Sequence, residues 1–395
     1  MNISCIISVV LLLLWFIMAA STLYVCFFAL SSRLPRRNEG NEGNERNEGN
    51  ERNSSFLILF PAYQEDGVIK NSVENFLRQT YPCSLFKLVV ISDHMLPETN
   101  AALATLPITL LQPVFENSSK AKALQHAIHE VEGAFDYVVV LDADNVVEPD
   151  FLERLNAICQ HPYKAIQCHR CAKNADSNIA ALDGLSEEIN NSIFRLGHNR
   201  LGLSSALIGS GMCFSYDWFR TNVNLLSSTV EDRELEVLLK QQNIYIHYAE
   251  DLPVKDEKVS NDATFQRQRL RWMSGQLQTL LLMLPHVPKA LAAANINYLD
   301  KTLQQALIPR SLLLLLLFFL TVLSACLSWR LALLYLLQLA VLSASIVVAI
   351  PKSLRTAALA RRLVSFPRMA LRMLFNVARL RPKDTNFIHT PHKSN

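Results

Sequence analysis

The sequence predicts an α/β domain built on a Rossmann-like parallel sheet and flanked by membrane-crossing helices. Three observations carry this expectation. Between residues 56 and 141, short apolar runs alternate with helical patterns, the order that builds a parallel sheet with covering helices. Residues 3–30 carry no charge and residues 311–350 almost none, each stretch long enough to cross a bilayer. Leu141-Asp142-Ala143-Asp144 ends an apolar run, so two carboxylates sit where a buried strand meets a loop. Open α/β sheets bind their ligands at that strand end.

Composition agrees. The chain has 395 residues, enough for one large or two average domains, and is 50% hydrophobic and 18% charged, apolar for a soluble enzyme. The net charge of +3 conceals a basic tail, where Asp384 is the lone acid of residues 351–395. The 8 cysteines are scattered, and Cys5, Cys26 and Cys326 lie in apolar stretches. That distribution suits reduced thiols better than a disulfide framework. Cys168-His169-Arg170-Cys171 has the spacing of half a zinc site, but no second Cys-x-x-Cys follows.

Taken in order, residues 3–30 span a hydrocarbon core of about 30 Å with ease. A cleaved signal peptide is the rival, since small residues occur at 29–32. Yet no basic region precedes the segment, and it exceeds the usual apolar core of about 7–15 residues. Arg33, Arg36 and Arg37 follow it, which predicts an uncleaved anchor with its N-terminus outside and the rest cytoplasmic. Residues 31–55 form a polar linker, in which the Asn-Glu-Gly and Asn-Glu-Arg repeats of 38–53 carry no apolar residue and can bury nothing. Strands are expected at 56–60, 86–91, 108–111 and 137–141, and helices at 67–79 and 118–131. Residues 285–307 connect this region to two short apolar helices within 308–350. In the basic tail at 351–395, residues 357–380 read as an interfacial amphipathic helix divided near Pro367.

Three groups of residues carry chemistry. Asp142 and Asp144 can share a hard cation, Mg²⁺ or Mn²⁺, that completes its shell with phosphates; a solvated turn is the competing explanation. Glu231-Asp232 opens a helical pattern, where acids are favoured electrostatically and simple capping competes with catalysis. Gln268-Arg269-Leu270-Arg271-Trp272 sits where a basic helix turns apolar, as a solvated collar would too. Gly209-Ser210-Gly211 permits a close backbone approach or an ordinary tight turn.

In this order, and ahead of a membrane segment, these motifs resemble those of the membrane-bound family 2 glycosyltransferases, which include the cellulose, chitin and hyaluronan synthases. The resemblance covers residues 56–284 and implies a GT-A domain, a nucleotide-sugar-binding α/β fold. It implies that Asp93 contacts the uracil or ribose of the donor, although the usual Asp-Asp-Gly is replaced by Ser92-Asp93-His94. Lys120 matches the family's Lys-x-x-Ala-Leu, and Glu65 follows the first strand on the donor side. Glu231 and Asp232 match Thr-Glu-Asp with Val230 in place of the threonine, and Asp232 takes the proton of the acceptor. Gln268, Arg271 and Trp272 match Gln-x-x-Arg-Trp, with Arg271 beside the pyrophosphate and Trp272 a platform for a sugar.

The implied activity is inverting, metal-dependent transfer of a hexose from a nucleotide sugar, expected to be a UDP-sugar. The acceptor is a glycan or lipid-linked molecule in envelope polysaccharide assembly at the inner membrane, with no role for nucleic acid. The alternative is a processive synthase that needs a partner channel for export. Outside this class, a nucleotidyltransferase would share the sheet and the metal carboxylates but leave Asp232 and Trp272 unexplained. A non-catalytic scaffold would leave all three groups unexplained.

Overall fold

The computed structural model describes residues 3–36, 52–228, 230–259, 261–357 and 361. Most of the repeat linker, and the expected helix at 357–380 apart from residues 357 and 361, lie outside the described residues.

The order of elements opens with α1 (Ile3–Ser31), then β1 (Phe56–Tyr63), α2 (Ile69–Phe76), β2 (Phe86–Asp93), α3 (Pro97–Ala104) and β3 (Thr109–Leu111). Next come α4 (Lys120–Glu130), β4 (Tyr137–Val140), β5 (Val146–Val147), α5 (Phe151–Cys159) and β6 (Ala165–Ala172). A long interrupted helix follows, formed by α6 (Asn178–Asn190), a π-helical turn (Asn191–Leu196) and α7 (Gly197–Arg200). Then come β7 (Met212–Ser215), α8 (Tyr216–Asn222), α9 (Glu231–Gln241), β8 (Ile246–Asp256) and α10 (Asp262–Met283). The described elements close with α11 (Val287–Ala292), α12 (Ile296–Ala306), α13 (Arg310–Ala325) and α14 (Trp329–Ala349).

Among the described residues the strands form one sheet of 8, in the order β3-β2-β1-β4-β7-β6-β8-β5. β1 is its pivot, because strand side chains alternate between faces and both faces of β1 are covered. Ile58 and Phe60 pack with Val73 and Phe76 on one side, while Leu57 and Leu59 pack with Leu124 and Ala127 on the other. The parallel pairing expected for the four strands read from the sequence is found, and the remaining strands make the sheet mixed. β1, β2, β3 and β4 are parallel, but β7 runs antiparallel to both β4 and β6, and β5 runs antiparallel to β8. The first half is chained through helical crossovers that force parallel pairing, whereas β7 enters after the long interrupted helix and returns beside β4. Cys168 and Cys171 lie in β6, paired with β8, and Cys168 is fully buried. They are strand residues, not half of a metal site.

Among the described residues, two helices are long and apolar enough to cross a membrane: Ile6–Ser31 within α1, and α14. α12 and α13 form a further candidate pair, bent by 51°. Trp15 Nε1 donates to Leu334 O (3.1 Å), Tyr335 Oη to Leu11 O (2.6 Å) and Arg33 Nη2 to Ile350 O (2.8 Å). These bonds join start to start and end to end, so α1 and α14 run parallel, with α13 folded back on α14 through a tight turn. Leu182, Leu185, Ile189 and Ile193 of the interrupted helix share a core with Phe28, Leu317 and Tyr335. A Cβ on Gly197 would stand 2.3 Å from Phe28 O, so backbone meets backbone there. Beside this contact, Phe28 stacks on His198 at 3.7 Å, and Tyr24 Oη meets His198 Nε2 (2.9 Å) and Asp300 Oδ1 (2.8 Å).

Candidate active site

A cavity of about 730 Å³ runs along the carboxyl edge of the sheet toward the apolar helices. Glu65, Asp93, Lys120, Asp142, Asp144, Glu231, Asp232, Gln268, Arg271 and Trp272 all line it. Residues spread over the chain thus converge because parallel strands β1, β2 and β4 end on the same edge.

The donor-side wall is built from those strand ends. Tyr63 ends β1 opposite Asp93 at the end of β2, and each strand is followed by a residue with positive φ, Gln64 (52°) and His94 (54°). Such a turn reverses the chain at once and leaves the preceding carboxylate at the mouth of the cavity. Asp93 Oδ1 meets His94 Nδ1 at 2.6 Å. Glu65 is held nearby, its N–H 3.1 Å from Met95 Sδ.

Asp142 and Asp144 are fixed by Asn145, whose Oδ1 accepts from Asp142 N (2.9 Å) and from Ser210 Oγ (2.6 Å). Its Nδ2 donates to Asp144 Oδ1 at 3.1 Å. Glu257 N donates to Asp144 Oδ2 at 2.7 Å. Asp144 is only 2% exposed, which a solvated turn would not produce. Two buried-edge carboxylates suit a cation that keeps several waters and takes phosphate oxygens, not a closed protein cage.

Lys120 opens α4, whose N-cap Ser119 accepts from Lys122 N. Its Nζ bonds Asp142, donates to Gly209 O (2.6 Å) and lies 3.6 Å from Glu231 Oε1. Burial alone would lower its pKa, but Asp142 and Glu231 outweigh burial and raise it, so the ammonium persists. Glu231 behaves oppositely. Burial raises its carboxyl to about 7, Lys120 opposes the rise and Asp232 adds to it. The N-cap of α9 is Val230, which makes no side-chain cap bond, and the acidic pair follows it in the first turn. Asp232 Oδ1 accepts from Arg233 N (2.9 Å). Gly209 lies beside the other oxygen, and its φ of +82° is the left-handed conformation that favours glycine.

α10 forms the opposite wall. Arg269 pairs with Asp183 and its guanidinium lies 4.6 Å from the Trp272 ring centroid. The indole therefore carries a cation against it, a favourable contact with the ring quadrupole. Gly275 lets α10 approach α9, because a Cβ would stand 3.0 Å from Val230 Cγ1.

Sequence reasoning missed the charged floor of the cavity. Arg170 Nε bonds Glu187 Oε1 (2.7 Å) and lies 3.4 Å from Asp256, while Lys258 pairs with Glu187 and with Asp256 (2.6 Å). Glu187 is pushed up by burial, but Arg170 and Lys258 prevail and bring it to about 2. Asp256 is pushed by burial to about 7 against the same two cations, with Glu187 and Asp144 reinforcing the rise. Within the charged run Lys255-Asp256-Glu257-Lys258, Asp256 and Lys258 are buried where β8 ends beside β6.

Residues 53–275, more than half of the chain, match the family model described as Glycosyltransferase like family 2. The chain belongs to that family. Among relatives, this glycosyltransferase-like chain is 24% identical over 233 residues to probable glucomannan 4-beta-mannosyltransferase 15 of Arabidopsis thaliana, covering 55% of itself and 43% of the relative. To probable glucomannan 4-beta-mannosyltransferase 3 of the same plant it is 24% identical over 274 residues, covering 64% and 49%. The chain thus spans less than half the length of these relatives. Among solved structures, it resembles the mannosyltransferase PcManGT from Pyrobaculum calidifontis in complex with GDP-Man and Mn²⁺, with a TM-score of 0.54, 15% identity and 94% of both chains covered. That likeness establishes the fold of this family 2 member as a GT-A domain with apolar helices at both ends.

Proposed function

We propose that this protein transfers a hexose, with inversion, from a nucleoside-diphosphate sugar to a hydroxyl of a membrane-delivered acceptor. The observation that carries the reading is the convergence of Asp93, Asp142, Asp144, Lys120, Asp232, Arg271 and Trp272 on a cavity that continues to apolar helices. Asp93 and Glu65 orient the nucleoside, and Gln268 and Trp272 hold the sugar end. A Mg²⁺ or Mn²⁺ bound by Asp142 and Asp144 would supply positive charge to the diphosphate. Lys120 and Arg271 add fixed cations as the leaving group gains charge, the arginine by its planar fork. Asp232 accepts the proton of the attacking hydroxyl, and Glu231 keeps Lys120 in place between them. One base without a second nucleophile means direct displacement, hence inversion.

The sequence favours a uridine donor, whereas the relatives named mannosyltransferases, and the GDP-Man complex of similar fold, favour a guanosine one. The second supports GDP-mannose as the first donor to try. A processive synthase with a partner channel is the second reading, favoured by the glucomannan polymer in the relatives' names. The helices cross the inner membrane with the catalytic region on the cytoplasmic side, consistent with the arginines after α1. A panel of UDP- and GDP-sugars, run on detergent-solubilised protein with membrane lipids, tests the activity. Release of nucleoside diphosphate supports transfer, release of pyrophosphate supports a nucleotidyltransferase instead, and product length separates single addition from synthesis of a polymer.

A further inference from the structure

The cavity does not stop at Trp272. Its far end is walled by Val25 of α1, Leu314 of α13, and Ser343, Ile346 and Val347 of α14. Val347 is 54% exposed, so this end opens sideways between helices instead of closing into a core. Where the polar and apolar parts meet stands Arg310, half-buried at the start of α13. Its Nη2 donates to Asn190 Oδ1 (2.7 Å) and to Ser186 O (3.2 Å), both neutral acceptors. No carboxylate among the described residues pairs with it. The other cavity arginines differ: Arg269 has Asp183, and Arg170 has Glu187 and Asp256. A cation removed from water without a counter-charge is costly, and an arriving anion relieves that cost. A guanidinium matches phosphate by geometry as well as by charge. An unmatched guanidinium beside a slot that is apolar and open at the side is complementary to one kind of molecule, a lipid with a phosphate at its head.

We infer that Arg310 holds the phosphate of a lipid-linked acceptor, whose hydrocarbon chain lies along Leu314, Ile346 and Val347. The inference rests on the glycosyl-transfer reading and names the class of its acceptor. The part of the acceptor beyond the phosphate then extends toward Asp232, so the hydroxyl that reacts and the phosphate that anchors are separate groups.

Calorimetry on the full chain in neutral detergent, without any sugar donor, tests this with farnesyl phosphate, farnesol and inorganic phosphate as probes. Farnesyl phosphate is expected to bind at least about tenfold more tightly than either fragment, the order of one charge-assisted hydrogen bond. Arg310→Gln should lose about that factor, Arg310→Lys should recover part of it, and Leu314→Trp should weaken farnesyl phosphate while sparing inorganic phosphate. Equal binding of farnesol would leave only an apolar slot, and equal binding of inorganic phosphate only a free-anion site; either overturns the inference. So does an unchanged affinity for farnesyl phosphate in an Arg310→Gln protein that still binds nucleotide. The comparison of three probes on the unmodified protein stands even if the variants misfold. Because no donor is present, failure here leaves glycosyl transfer intact. Probe binding without transfer to any acceptor would instead sink the activity and keep the site.

Discussion

Asp232→Asn separates the chemistry of the site from its binding. Asparagine keeps an oxygen where Asp232 Oδ1 accepts from Arg233 N, so the start of α9 retains its bond. A stability change within about 0.5 kcal/mol is expected, as for substitutions away from packing or unpaired charge. The electrostatic consequence is small for a reason peculiar to this pocket. Asp232 helps to hold Glu231 near 7, so Glu231 is partly protonated at neutral pH. Removing the Asp232 charge lets the Glu231 pKa fall and its carboxylate ionise further. The net charge facing Lys120 and the donor diphosphate then changes by less than a full unit, and donor affinity should scarcely move. The rate should fall by about 10²–10⁴-fold, the usual cost of losing a general base. That range corresponds to about 3–5 kcal/mol of transition-state stabilisation that the ground state does not share. Calorimetry with the donor nucleotide and a transfer assay on the same preparation measure the two quantities together. Transfer at the unmodified rate would refute the assignment of the base, and with it the argument for direct inverting displacement. Equal loss of binding and rate would make Asp232 a donor ligand instead.

Asp144→Asn keeps one oxygen for Glu257 N and Asn145 Nδ2 but removes a charged donor, so the fold should persist. Nucleotide affinity, measured with and without Mn²⁺, is expected to lose its metal dependence. Glu231 has a pKa raised from 4.5 to about 7 by burial, so the folded state favours its neutral form. Its contribution to stability is complete below the unfolded value and is lost as pH rises through about 7. Glu231→Gln should therefore flatten the fall in melting temperature between about pH 5 and pH 8; an unchanged slope would contradict the raised pKa. Gly211 sits at φ +63° with Val254 Cγ2 3.1 Å from where a Cβ would be. Gly211→Ala should destabilise the protein by about 1–2 kcal/mol or more in thermal unfolding, from the left-handed backbone alone. Cys326 and Cys83 are both exposed, one in the turn between α13 and α14 and the other on the α/β domain. In single-cysteine variants of intact cells, an impermeant maleimide should label Cys326 and spare Cys83; labelling of Cys83 would reverse the proposed orientation.

The first half of the sheet was legible because its strands are local signals. Runs such as 56–60 and 137–141 are apolar throughout, as strands covered on both faces must be. Asp93 and Asp142 could be read as strand-end carboxylates for the same reason. β6, β7 and β8 escaped notice because their signal is not local. β6 carries Gln167, His169 and Arg170 among its residues, and it becomes a strand only when β7 and β8 pair with it. Hidden with it was the charged floor, since Glu187, Asp256 and Lys258 look like solvated residues until long-range pairing encloses them. Arg269 was visible as one of three arginines, but its choice of Asp183 as partner and Trp272 as platform depends on the angle between α6 and α10. Lys120 drew notice through its match to Lys-x-x-Ala-Leu, and it stands at the start of α4 behind the N-cap Ser119.

The contact between Trp15 and Leu334 joins positions 319 residues apart. A ribosome delivers the first of these positions long before the second, and the entire α/β domain emerges in between. For that interval, the face of the interrupted helix that packs against α1 has part of its core and lacks Leu317 and Tyr335. Domains fold as units while synthesis proceeds, so the sheet can form early, but the far wall of the cavity cannot, because α13 and α14 supply it. The nascent chain thus holds the cluster of Lys120, Asp142 and Glu231 beside an unfinished far wall of the cavity. The cavity lining is therefore complete only once α14 has been made, well after the α/β domain has emerged.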